Sequence, residues 1–172
     1  MISLIQTPFA GTMVLICIAV CTDLLWRKIP NWLTMPFVVL GIWLNAVQLE
    51  MGPGVFFALK GLAAGLFVFM VPFLLGGAGG GDVKLLGAIG SLVGPLAVSW
   101  IFLYGAMAGG VVSLFLLLKK KRLSSLTGVV EDLKVLIFNL SPVFAAGKRE
   151  SIPYSVPILT GYIAYVIAGG AV

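Results

Sequence analysis

Apolar residues in this chain come in long, nearly uncharged runs. The runs are 8–22, 33–49, 55–75, 83–93, 96–118 and 154–171, and the charged residues within them are Lys60 and Lys84. Most are about 17 to 23 residues long and none alternates apolar with polar residues. Runs of this length call for lipid as the surrounding solvent. In lipid every backbone N–H and C=O must pair within the protein, which leaves helices or a closed barrel. The missing alternation selects helices. Residues 1–172 are therefore expected to form one all-α integral-membrane domain, a polytopic bundle of about six transmembrane helices. Composition agrees, with 60% hydrophobic and 10% charged residues, against about 25% charged in soluble domains.

The punctuation between runs supports this division. Pro30 stops a helix before it, Trp26 and Trp32 suit a membrane interface, and Pro36 is tolerable in a first turn. Met1 to Thr7 carries no Lys or Arg, so the first span is expected to be retained rather than cleaved as a signal. Gly61-x-x-x-Gly65 and Gly105-x-x-x-Gly109 provide small faces for close helix packing. The run 83–93 is short. As a helix it covers about 16 Å, too little for about 30 Å of hydrocarbon. Either Gly94-Pro95 is a kink and the span continues, or the membrane surface dips toward Asp82 and admits water. The dip is the reading adopted. In the one long polar-containing segment, Leu126, Val129, Val130, Leu133, Ile137 and Leu140 follow helical spacing. They predict an amphipathic cytoplasmic helix between spans 5 and 6.

Charge sets orientation. Six spans alternate sides, and of the 11 Lys and Arg all but Lys60 fall on one side. Positive residues stay inside. Both termini are thus expected outside, with the Asp23 and Asp82 ends of their spans at the cytoplasmic face of the inner membrane. The net charge of +5 is spread over span ends, so no nucleic-acid partner is expected. The lipid bilayer is.

There is no histidine. That removes a H-E-x-x-H zinc site and any nucleophile that needs a histidine base. Cys17 and Cys21 share a helix face and are read as small packing residues. Carboxylates remain. Glu50 is expected outside, while Glu131, Asp132 and Glu150 lie in the polar segment. Asp23 and Asp82 sit at the cytoplasmic margins of separate apolar runs, at similar depth. Asp82 follows five glycines in Gly76-Gly77-Ala78-Gly79-Gly80-Gly81, where bare backbone allows close approach. Two carboxyls brought together cannot both ionise cheaply, so they share a proton. One can then take a proton from water while the other donates to a carbonyl oxygen, as in aspartic proteases, with no metal or cofactor. Other readings compete on the residues alone. Asp23 could cap a helix or pair with Arg27, Asp82 could cap the next helix, and an intramembrane pair could carry protons or ions in a small transporter.

Gly79-Gly80-Gly81-Asp82, followed by Val83-Lys84-Leu85-Leu86, is a G-x-G-D motif. With Asp23-x-x-x-Arg27-x-Ile29-Pro30-Asn31 it resembles the type IV prepilin peptidase family of membrane aspartic proteases, related to archaeal preflagellin peptidases. Ile152-Pro153-Tyr154 is similar to a weaker feature of the family. The resemblance implies that Asp23 and Asp82 are the catalytic pair. It implies removal of short basic leader peptides from prepilin-like precursors at the cytoplasmic edge of the membrane, just before the precursor's apolar helix. Gly79 and Gly81 would let backbone or substrate approach Asp82. Arg27, Lys84, Pro30 and Asn31 would anchor the chain at headgroups or form the site margin. Larger, bifunctional members carry a cytosolic insert with two Cys-x-x-Cys pairs, and this chain has none. The short, peptidase-only form is therefore expected, without zinc or methyl donor. A presenilin-like protease would carry a Tyr-Asp pair and Pro-Ala-Leu, whereas here Thr22 precedes Asp23 and Pro-Ala-Leu is absent.

Overall fold

The computed structural model describes residues 2–74, 79–119 and 155–170. Among them are six α-helices and no strand: α1 (Ile2–Trp26), α2 (Asn31–Gln48), α3 (Met51–Leu74), α4 (Gly80–Val93), α5 (Pro95–Lys119) and α6 (Ser155–Ile167). The segment 123–151, with its expected amphipathic helix, and Ile152-Pro153-Tyr154 lie outside the described residues.

Each break follows local chemistry. Past α1, Arg27 adopts φ 52° and its N–H still bonds the Asp23 carbonyl at 2.8 Å. Pro30, extended at φ −76° and ψ 149°, then starts α2. Glu50 turns the chain into α3 with φ 73°. Gly94, at φ 86°, ends α4 outright. That conformation suits glycine, and Pro95 follows as the first residue of α5, where its missing N–H is no loss. The Gly94-Pro95 pair is thus a break between two helices rather than a kink in one.

The short α4 is the hub of the bundle. Every residue from Leu85 to Gly94 is buried. Its principal neighbour is α3, followed by α2, α1 and α5. Glycine makes this approach feasible. A methyl on Gly61 would strike the Gly90 carbonyl, one on Gly65 the Leu86 carbonyl, and one on Gly90 the Gly61 carbonyl. The Gly61-x-x-x-Gly65 face therefore packs backbone on backbone. Gly105 does the same for α5 and α6, where a methyl would stand 2.7 Å from the Pro157 carbonyl. Gly61→Ala is expected to force α3 and α4 apart and lower stability by about 1–3 kcal/mol, the usual penalty of overpacking. The thermal midpoint in detergent reads this.

One buried polar residue closes the far end of α4. Asn45 on α2 is 3% exposed. Its Nδ2 donates to the carbonyls of Ser91 and Leu92, each at 3.0 Å, and to its own helix at Gly41, 2.9 Å. The last carbonyls of a helix have no partner within it, so the amide supplies one where water is excluded. Asn45→Leu keeps the branched shape, removes the donor and strands those carbonyls. A loss of about 1–3 kcal/mol is expected, visible as a lower thermal midpoint and faster amide exchange in α4.

The core joins Leu15, Ile16 and Ala19 of α1 to Leu85, Leu86, Ile89 and Leu92 of α4 and to Val98 and Ile101 of α5. The exterior is also apolar. Leu25, Trp32, Met35, Val39, Trp43, Phe56, Phe67, Leu96 and Met107 are exposed. Among the described residues two helices are long and apolar enough to cross a membrane, Thr7–Trp26 with mean hydropathy 2.0 and Met51–Leu74 with 2.1. Pro95–Val111 and Ser155–Ile167 are shorter apolar helices. Where described, the six expected runs are helical except at Leu49 and 168–170, and two of the described helices meet the length and composition of a span. Cys17 and Cys21 are free and exposed on α1, not packed inside as expected.

Helix α6 lies against α1 and α5. The Tyr162 hydroxyl donates to the Phe9 carbonyl at 2.7 Å, and Phe9 stacks on Tyr165 with ring centroids 6.3 Å apart. Held this way, α6 brings its first residue, Ser155, to the far end of α1, beside Asp23.

Candidate active site

A polar groove opens where α1 ends and α4 begins. Its volume is about 480 Å³, and Asp23, Arg27, Lys28, Ile29, Pro30, Asn31 and Gly79 to Asp82 line it. Asp23 comes from the last turn of α1, and the turn into α2 supplies Arg27 to Pro30. The glycines and Asp82 come from the start of α4. Two segments far apart in sequence thus bring two carboxyls to one hollow.

Both carboxyls are buried, Asp23 at 9% exposure and Asp82 at 8%. Each has one oxygen held. Asp23 Oδ2 accepts the Ser155 hydroxyl at 2.6 Å. Asp82 Oδ2 accepts the Gly79 N–H at 3.1 Å, and the Asp82 N–H returns a bond to the Gly79 carbonyl at 3.1 Å. Asp82 therefore does cap α4, as the structural reading of the sequence expected. The cap occupies one oxygen. Among the described residues the second oxygen of each carboxyl makes no hydrogen bond.

The glycines have separate reasons. A side chain on Gly79 would place its Cβ 3.2 Å from Asp82 Oδ2 and crowd the acceptor. On Gly81 the Cβ would stand 3.1 Å from the Ile29 Cβ, so this glycine lets the α1–α2 turn close onto α4. Gly80 faces only Phe73, at an ordinary 3.7 Å.

Asp82 lies outside both candidate spans, at the groove's edge. Burial pushes its carboxyl up from 3.8 to about 6. The Gly79 N–H pulls the other way, and the nearby charge of Asp23 adds a smaller upward push. Below about 6 the Asp82 carboxyl can hold a proton, which suits acid–base work on a carbonyl. A separate cavity of about 320 Å³ between α3, α5 and α6 is lined by Phe69, Ile101, Phe102, Pro157 and other apolar residues and contains no titratable side chain. Of these two cavities the groove is the one lined by carboxyls. Among the described residues no three of His, Cys, Asp and Glu gather to hold a metal ion.

The structure brings Asp23, Asp82, Gly79, Gly81, Arg27, Pro30 and Asn31 together along one groove. Lys84 stands at the margin, exposed, with its Nζ donating to Asn31 Oδ1 at 2.9 Å. It ties the start of α4 to the start of α2. Asp23 bonds Ser155 and makes no ion pair with Arg27. Ser155 was not foreseen. The only sequence signal near it was Ile152-Pro153-Tyr154, directly upstream.

A family model, described as the type IV leader peptidase family, matches residues 10–114. This is more than half of the chain and includes both groove carboxyls. The chain belongs to the type IV leader peptidase family. Membership makes it a protease of the leader-peptidase kind. The match runs from within α1 into α5 and stops before α6, so Ser155 lies beyond it. No curated protein and no solved structure gives a significant match.

Proposed function

We propose that this type IV leader peptidase family member is a membrane aspartic endopeptidase. It removes the short basic leader from prepilin-like precursors at the cytoplasmic face of the inner membrane. The observation that carries this reading is the pair of buried carboxyls, from separate helices, lining one polar groove in an otherwise apolar molecule.

The chemistry needs only water and the two carboxyls. The ionised carboxyl takes a proton from water as the oxygen attacks the scissile carbonyl carbon. The protonated one gives its proton to the carbonyl oxygen, and a tetrahedral diol forms. As the diol collapses, one hydroxyl returns its proton to the ionised carboxyl. The other carboxyl protonates the leaving amine, and the C–N bond breaks. One proton and one charge remain on the pair, ready for another cycle. No metal, cofactor or methyl donor takes part, and the chain acts as a peptidase alone.

In this reading the six apolar runs lie within the bilayer with Asp23 and Asp82 at their cytoplasmic margin, both termini face outward, and the groove opens to the cytoplasm. The basic residues at the span ends support that orientation. The short α4 leaves the membrane surface low around Asp82, which admits water and the precursor's leader junction. Gly79 and Gly81 keep backbone close to Asp82, while Pro30, Asn31, Arg27 and Lys84 form the margin.

The test is purified protein in lipid vesicles with a tagged pilin-like precursor, read by gel shift and mass spectrometry. The expected product is a leader cut just before the precursor's apolar helix. An intact precursor together with proton or ion flux across the vesicles would move the assignment to a transporter.

A further inference from the structure

The two carboxyls are not equivalent in their surroundings. Ser155, the first residue of α6, is fully buried, and its hydroxyl donates to Asp23 Oδ2 at 2.6 Å. A hydroxyl bonding an ionised carboxylate typically spans about 2.5–2.7 Å, and a neutral O–H···O pair is typically somewhat longer. Asp82 has instead a backbone N–H at 3.1 Å. The N-terminal end of α6, next to Asp23, also favours negative charge.

Charged and titratable neighbours do not supply this asymmetry by direct contact. On the α1 side, Arg27 and Lys28 line the groove, yet neither forms an ion pair with Asp23. From α4, Asp82 faces Asp23, and Lys84 is turned to Asn31. Helix α2 carries no titratable side chain. On α6, Tyr162 and Tyr165 meet Phe9, toward the other end of α1. Cys17 and Cys21 face outward. Among the described residues, Ser155 is the one side chain that donates to Asp23.

We propose that Ser155 is a positioning residue that divides the labour of the pair: it holds Asp23 as the ionised carboxylate that takes the proton of the attacking water, and leaves Asp82 as the acid that protonates the scissile carbonyl. This rests on the peptidase reading and adds to it the identity of base and acid. At the first step the water proton goes to Asp23, the water oxygen bonds the carbonyl carbon, and the Asp82 proton goes to the carbonyl oxygen. Asp23 is then protonated and Asp82 ionised, ready for the collapse described above. Ser155 keeps its own proton throughout. The family model does not reach this residue, so the assignment comes from this chain's own geometry.

Two measurements test it. The first is precursor cleavage by Ser155→Ala and Ser155→Thr. Alanine is expected to lower kcat about tenfold with KM within about twofold, and to move the acid limb of the kcat–pH profile to higher pH. Threonine, which keeps the hydroxyl, should restore both. The second does not need cleavage. Infrared difference spectra at pH 5, with the band of the other four acidic side chains as common background, should show a protonated-carboxyl component that is kept in Asp23→Asn and lost in Asp82→Asn. The proposal is overturned if Ser155→Ala keeps the wild-type kcat and pH profile, if threonine fails to rescue a folded protein, or if the band vanishes in Asp23→Asn instead. Should wild type cut no precursor, the peptidase reading fails while the infrared result still decides which carboxyl holds the proton.

Discussion

Asp82→Asn is expected to abolish leader cleavage and, at pH 8, to raise the thermal midpoint of the protein. The two effects have one origin. Burial has raised the Asp82 carboxyl to about 6. The folded protein therefore binds this proton more tightly than the unfolded chain does. The stability linked to the proton is fully present below the unfolded value of 3.8 and is lost as pH rises through about 6. Above that, the folded state holds a buried carboxylate at a cost of at most about 3 kcal/mol. Asparagine removes the charge, and its side-chain oxygen can still accept the Gly79 N–H, so the helix cap survives. The variant should gain most at pH 8 and little near pH 4. Losing the acid or base of a two-carboxyl mechanism should lower the cleavage rate by at least about 10³-fold. If Asp82 served only as a cap for α4, Asn would leave cleavage intact. Thermal melts at both pH values and a cleavage assay on the same preparation separate the two roles.

Gly81→Val is expected to lower cleavage about 100-fold in a protein that remains folded. Gly81 is where the turn after α1 closes on the start of α4, with Ile29 against it. A valine puts a Cβ where only 3.1 Å is available and adds two methyls beyond it. The turn has to lift, and with it the spacing of the groove walls that present Asp23 and Asp82. A misplacement of about 1 Å between reacting groups can reduce a rate by about 10²-fold. Gly80→Ala is the control, because its Cβ would meet only Phe73 at 3.7 Å. The expected pattern is a low kcat for Gly81→Val and near wild-type kcat for Gly80→Ala, with both proteins inserted and monodisperse in detergent.

The two carboxyls were legible in the sequence because physics isolates them. In a chain with few charges and no histidine, an Asp at the margin of an apolar run is conspicuous, and there are two. Gly61 and Gly65 were legible for a similar reason, since small residues four apart on an apolar helix permit close backbone approach. The central place of α4 was not. Its length said that it could not span alone, but what surrounds a short helix depends on the crossing of α1, α2, α3 and α5, which no local pattern encodes. Asn45 is one of two amides, with Gln48, in the run 33–49, and nothing nearby indicates that it reaches the last carbonyls of another helix. Lys84 looked like a headgroup anchor because its partner, Asn31, lies 53 residues away. Ser155 is 132 residues from Asp23, and a lone serine gives no sign of such a bond. Cys17 and Cys21 were read as packing residues from their size. The structure instead leaves both exposed on α1, since small size alone does not say which face of a helix a residue occupies.

The most direct measurement of the central claim places wild type, Asp23→Asn and Asp82→Asn side by side with one tagged pilin-like precursor, at equal membrane levels, and reads the leader by mass. The account predicts that wild type alone releases it, cut before the apolar helix, while both variants leave the precursor whole. Release of the leader by either variant at the wild-type rate would contradict a mechanism built on the two carboxyls.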